Sequence, residues 1–115
     1  MKVKTSELQG AQLDWAVAQC DHPEQYDYEA GKVWINAEAG ECFTPSTDWA
    51  QGGPIIERER IGPQPIYNGY SLAHWSAVRE IGETRRSGPT PLIAAMRCYV
   101  ASKLGNEVEV PEEPA

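Results

Sequence analysis

Six residues carry the binding chemistry that this sequence offers: Trp49, Gly52, Gly53, Trp75, Thr90 and Arg97. An indole face stacks on planar rings, and a guanidinium beside one can clamp a phosphate or cover a base. The Gly52-Gly53 pair lets a backbone or a ligand come close, and near a helix start it can turn N–H groups toward an anion. Thr90 could do the same after Gly88 at a second helix start, although Pro89 and Pro91 remove two of the donors that such a cradle uses. Each of the six also has a plainer use. Trp49 and Trp75 can fill the core of a chain with a single Phe, and Gly52 and Gly53 can let a helix pack closely on a sheet. Thr90 can cap a helix, and Arg97, like Arg58, can form a surface ion pair. No complete dinucleotide or P-loop fingerprint follows the glycine pair.

Catalysis and metal binding are disfavoured. His22 and His74 stand alone, without a sequence neighbour that would join them to a Ser or Cys nucleophile. A zinc site can be drawn from Cys20, His22, Cys42 and His74, but its spacing is irregular, whereas structural zinc sites show tight ligand pairs. No metal or cofactor is expected. Three cysteines without a CxxC pair point to free thiols in a reducing compartment, with Cys98 a small core residue. The formal charge of −7 and the scattered Lys and Arg argue against nucleic acid, which needs a basic patch. An acidic surface suits a free cytosolic protein or docking onto a basic partner. No apolar run is long enough to span a membrane, and the polar segment after Met1-Lys2-Val3-Lys4-Thr5 predicts no signal peptide.

These residues need elements to hold them. Gly88 to Gly105 reads as a complete helix: Thr90 caps it, Pro91 takes the first position, and Gly105 closes it. Leu92, Met96, Tyr99, Val100 and Lys103 share one of its faces. A first helix, capped by Thr5 or by Ser6 with Gln9, places Leu13, Ala16, Val17 and Cys20 on one face and stops by Asp21-His22-Pro23. After a loop, 32–35 and 41–44 read as a hairpin turning at Asn36–Gly40, with Trp34 and Phe43 on one face. Asp48 with Gln51, or Thr47, caps a second helix whose face holds Trp49, Gly52, Gly53 and Ile56, with a kink or restart at Pro54. Gly62-Pro63-Gln64-Pro65 then breaks the chain, Tyr70–Val78 reads as a strand, and 79–87 as a turn or hairpin arm. Lys2-Val3-Lys4 and Glu107–Val110 are expected to pair as edge strands, ended by Pro111. The fold class is α+β, a small antiparallel sheet packed against about three helices. It forms a single domain over 1–115, with a flexible acidic tail over 111–115.

Three segments resemble the phage NinX family of small accessory proteins. They are Lys2-Val3-Lys4-Thr5-Ser6-Glu7-Leu8 with Leu13-Asp14-Trp15-Ala16-Val17-Ala18; Pro45-Ser46-Thr47-Asp48-Trp49 through Gly52-Gly53-Pro54-Ile55-Ile56-Glu57-Arg58; and Gly88-Pro89-Thr90-Pro91-Leu92-Ile93-Ala94-Ala95-Met96-Arg97. The resemblance implies a phage protein made in the host bacterial cytoplasm and carries over no catalytic residue. It suggests a non-catalytic binding protein that counters host defence by sequestering a small nucleotide-type signal. The ligand would lie at Trp49, Gly52, Gly53, Trp75, Thr90 and Arg97, so changing Trp49 and Arg97 to Ala together should abolish binding in a folded protein. The alternatives are an acidic inhibitor or adaptor of a host protein and a small nucleotide hydrolase. The hydrolase would need a metal or a carboxylate–His pair that the sequence does not display. A homo-oligomer would fit either binding class, completing a pocket across a two-fold axis.

Overall fold

Two short strands, each with a valine between two charged residues, join the two ends of the chain. Lys2–Lys4 runs antiparallel to Glu107–Glu109, with Lys2 opposite Glu109, Val3 opposite Val108 and Lys4 opposite Glu107. The computed structural model describes residues 1–21 and 23–112. In chain order its elements are β1 (Lys2–Lys4), α1 (Gly10–Asp21), β2 (Asp27–Glu29), β3 (Lys32–Asn36), β4 (Glu41–Cys42), α2 (Trp49–Glu59), β5 (Ile61–Asn68), β6 (Ser71–Arg79), β7 (Thr84–Gly88), α3 (Pro91–Leu104) and β8 (Glu107–Glu109), with short 3₁₀ turns at Thr5–Glu7 and Pro23–Gln25. The fold is α+β. Among the described residues the strands form three small antiparallel sheets instead of one: β1-β8, β2-β3-β4 and β5-β6-β7.

Helix α3 is the centre. The Thr90 hydroxyl accepts from the Ile93 N–H at 3.1 Å, Pro91 opens the helix, and Gly105 closes it at φ +89°. Leu92, Met96, Tyr99 and Val100 are buried as the spacing predicts, but so are Ala94, Ala95, Cys98 and Ala101. A single apolar face was therefore too narrow a reading. Sheet β5-β6-β7, α1 and α2 all pack on this helix, and its small residues let them approach.

Helix α1 begins at Gly10, in the left-handed region at φ +58°, and not at a Thr5 or Ser6 cap. Thr5 is fully buried and committed to the other end of the chain, where its N–H meets the Asn106 carbonyl at 2.8 Å. The last described residue of α1 is Asp21, and His22 of the predicted stop lies outside the described residues. Part of the expected loop after it is β2, a three-residue strand of which only Tyr28 turns inward, too short to leave an alternating pattern. In the hairpin the buried residue on β3 is Val33, not Trp34. Trp34 lies on the outer side, its indole N–H donating to the Glu29 carbonyl at 3.0 Å and Lys32 standing over its ring. Phe43 packs on Tyr26.

Helix α2 runs unbroken through Pro54, whose missing N–H forfeits a single bond to the Ala50 carbonyl. Strand β5 likewise contains Pro63 and Pro65, where a break was expected. Among the described residues it pairs only with β6, and the two prolines share one parity, so both can turn their missing donors to the free edge. The carbonyl of Pro111 accepts from Gln12 Nε2 at 2.9 Å, while 113–115 of the predicted tail lie outside the described residues.

Candidate functional site

Loop Pro45–Asp48, between β4 and α2, is held from every side. The Thr44 carbonyl accepts from the N–H groups of Thr47 and Asp48, and Asp48 Oδ1 caps α2 by accepting from Ala50 N–H at 2.9 Å. Gln51 does not complete a capping box. Its Oε1 accepts from Thr44 N–H at 2.6 Å and its Nε2 donates to the Cys42 carbonyl at 3.0 Å, which fixes the entrance to the loop. From α1, Asp14 Oδ1 accepts from the Ser46 N–H at 2.9 Å.

Gly52 presses α2 against this loop. A Cβ there would stand 2.5 Å from the Pro45 carbonyl oxygen and 2.6 Å from Leu92 Cδ2, so the glycine serves close packing. A Cβ on Gly53 would meet nothing within 4 Å. The close approach of α2 to α3 leaves a groove of about 230 Å³ between their starts, walled by Trp49, Thr90, Pro91 and Ile93 and completed by Ser46 and Thr47. Trp49 is 54% exposed. By position, the N–H groups of Trp49 and Leu92 have no carbonyl four residues back inside their own helices.

On the other side of the loop lies a second cleft of about 300 Å³, walled by Val33 and Phe43 and reached by Lys32, Thr44 and Asp14. Thr47 lines both clefts. Asp14 is only 4% exposed, and burial pushes its carboxyl up to about 6, with hydrogen bonding from Ser46 pulling the other way. The Ser46 hydroxyl lies against the same carboxylate without the geometry of a full hydrogen bond. A desolvated carboxyl at a cleft marks a functional-site candidate, and the sequence reading passed over it. The signal was available: α1 contains no Lys or Arg, so Asp14 has no cation one turn away.

Of the six sequence-derived residues, Trp49 and Thr90 line the groove, and Gly52 lies behind it against Pro45 and Leu92. Trp75 does not line it; it is half-buried on β6 opposite Gly88 and packs on the core. Arg97 has committed its guanidinium inward, with Nε donating to the Leu8 carbonyl at 2.7 Å and Nη1 to the Ser87 carbonyl at 3.0 Å. Arg97→Ala is therefore expected to lower stability by about 2 kcal/mol, because two carbonyls lose a charged donor. Urea unfolding of that variant checks this, and an unchanged midpoint would contradict it. A double change that includes Arg97 is thus a poor probe of binding. Arg58 makes the expected surface ion pair with Glu59, at 3.0 Å, and a second with Asp21, at 2.9 Å. It also bonds the Tyr99 hydroxyl at 3.1 Å, which ties α1, α2 and α3 together.

The drawn zinc set includes His22, which lies outside the described residues. Among the described residues, no three His, Cys, Asp or Glu side chains gather where a metal could sit. Nor, among them, is any helix long and apolar enough to cross a membrane. A protein-family model described as Bacteriophage P22, NinX matches residues 4–103, a span that also takes in 23–41 and 62–86, where the sequence motifs were least distinctive. No curated protein matches the chain.

Proposed function

We propose, from the premise that this chain belongs to the phage NinX family and is a phage accessory protein, that it acts by binding a small nucleotide-type ligand in the groove beside Trp49. It does so in the host cytoplasm, and sequestering such a signal would counter a host defence. One observation carries the reading: a half-exposed indole stands over the same groove as the start of α3. A large ring left in water gains by stacking on a planar partner. The ligand's anionic part would meet the Leu92 N–H at the positive end of α3.

Binding fits this groove better than turnover, because its walls are Trp, Thr, Pro, Leu, Ile and Ser without an acid, base or metal ligand. Trp49 and Thr90 meet the ligand, and Gly52 sets the distance between the walls. Gly53, Trp75 and Arg97 do not line the groove; Trp75 packs on the core and Arg97 holds the Leu8 and Ser87 carbonyls. An amide NMR titration with linear and cyclic nucleotides tests the assignment. The expected result is shifts confined to 46–49 and 90–93, and shifts confined to β5–β6 or to the Asp14 cleft would overturn it.

A further inference from the structure

The β5–β6 hairpin reaches out of the fold with both faces in water. Strand β7 pairs with β6 from Trp75 to Arg79, so among the described residues the distal half of the hairpin has no third strand. From Gln64 to His74 every residue is exposed except the half-buried Ile66, and the exposed residues include Tyr67 at 61%, Leu72 at 51% and Tyr70, which is bare at the turn beside Gly69. A two-stranded ribbon with no covered face is marginal in water. Clustered aromatic and aliphatic side chains on such a ribbon mark an interaction surface.

The charge pattern identifies the occupant. The chain carries a net −7, yet from Ile61 through Val78 it has no Asp, Glu, Lys or Arg. A basic protein would find no acidic complement on this arm, and a nucleic acid no cation. Two copies of an acidic protein repel across most of their surfaces, and the arm is the part that two like-charged molecules can bring together. The edges agree. Pro63 and Pro65 deny β5's outer edge two donors beside the body of the fold, whereas Ser71–His74 on β6 have neither proline nor charge to block pairing.

We infer that the β5–β6 arm is a self-association surface through which two copies pair, arm against arm, about a two-fold axis, burying Tyr67, Tyr70 and Leu72. This does not rest on the ligand reading. An isologous contact counts each side chain twice, so one substitution has a doubled effect. Sedimentation equilibrium of the full chain at about 100 µM should give a mass near twice 12.7 kDa. Leu72→Glu should weaken the dimer about 100-fold without loss of circular dichroism, since that side chain is exposed in a single copy. Mixing Leu72→Glu with Leu72→Lys should restore a heterodimer. A monomeric wild-type chain, a dimer indifferent to Leu72→Glu, or an arm that binds neutral lipid vesicles while the protein stays monomeric would each overturn the inference.

Discussion

Replacing Gly52 with Ala is expected to lower the stability of the fold by about 3 kcal/mol, a fall of about 10 °C in Tm for a domain of this size. The added Cβ would lie 2.5 Å from the Pro45 carbonyl oxygen and 2.6 Å from Leu92 Cδ2. Leu92 can turn aside, but the Pro45 carbonyl lies in the buried part of its loop, beside Ser46. That loop is pinned by Gln51 at one end and Asp14 in its middle. The helix must therefore back away from the loop and from α3, which also reshapes the groove. Gly53 is the control, because a Cβ there meets nothing within 4 Å beyond its chain neighbours and its own helix backbone. Its gain in helix propensity is offset by a clash with the following proline ring, which leaves Gly53→Ala within about 1 kcal/mol of wild type. Urea unfolding of the two variants decides the matter. Equal losses would mean that α2 tolerates no side chain on either face and that the close approach at Gly52 has no special role.

The second large effect is a pH dependence carried by Asp14. Its folded carboxyl titrates at about 6, against 3.8 for the exposed group. The folded state thus holds the proton more tightly than the unfolded chain. The contribution of Asp14 is most favourable at about pH 4 and below, where both states are protonated, and it is lost as the pH rises through about 6. The penalty on the alkaline side is about 3 kcal/mol. Asp14→Asn removes the charge and keeps an oxygen for the Ser46 N–H. The variant should therefore be more stable than wild type at pH 8, by up to that amount, and nearly equal to it below pH 4. Chemical unfolding of both proteins across that range checks the sign directly. A variant less stable than wild type at pH 8 would show that the buried charge is better solvated than its burial indicates. A carboxylate that weakens the fold at neutral pH, at the edge of a cleft, is the strongest reason to include Asp14 in any search for a second contact.

Local signals were legible where one residue decides the outcome. Thr90, Pro91 and Gly105 delimit α3, Asp48 caps α2, and the alternation at both termini specified the pairing of β1 with β8. Signals failed where a partner elsewhere in the chain decides. Thr5 reads as a helix cap until Asn106 claims it, and Gln51 reads as half of a capping box until Thr44 and Cys42 do. Pro63 and Pro65 look like breakers because a sequence does not reveal which edge of a strand will be free. The site followed the same rule. Trp49, Gly52 and Thr90 are close in space because two helices start side by side, whereas Arg97 was assigned by residue type alone and turned out to bind backbone carbonyls within the fold.

The central claim is that a small nucleotide-type ligand occupies the groove beside Trp49. The most direct measurement is thermal unfolding of wild type and Trp49→Ala against a panel of linear and cyclic nucleotides. A ligand at about a hundred times its Kd should stabilise the wild-type protein by about 2.7 kcal/mol, several degrees in Tm. Trp49→Ala should keep the ligand-free Tm within a degree or two, because the indole is already half in water, and should lose the shift. No shift across the panel, or an equal shift in both proteins, would contradict the assignment.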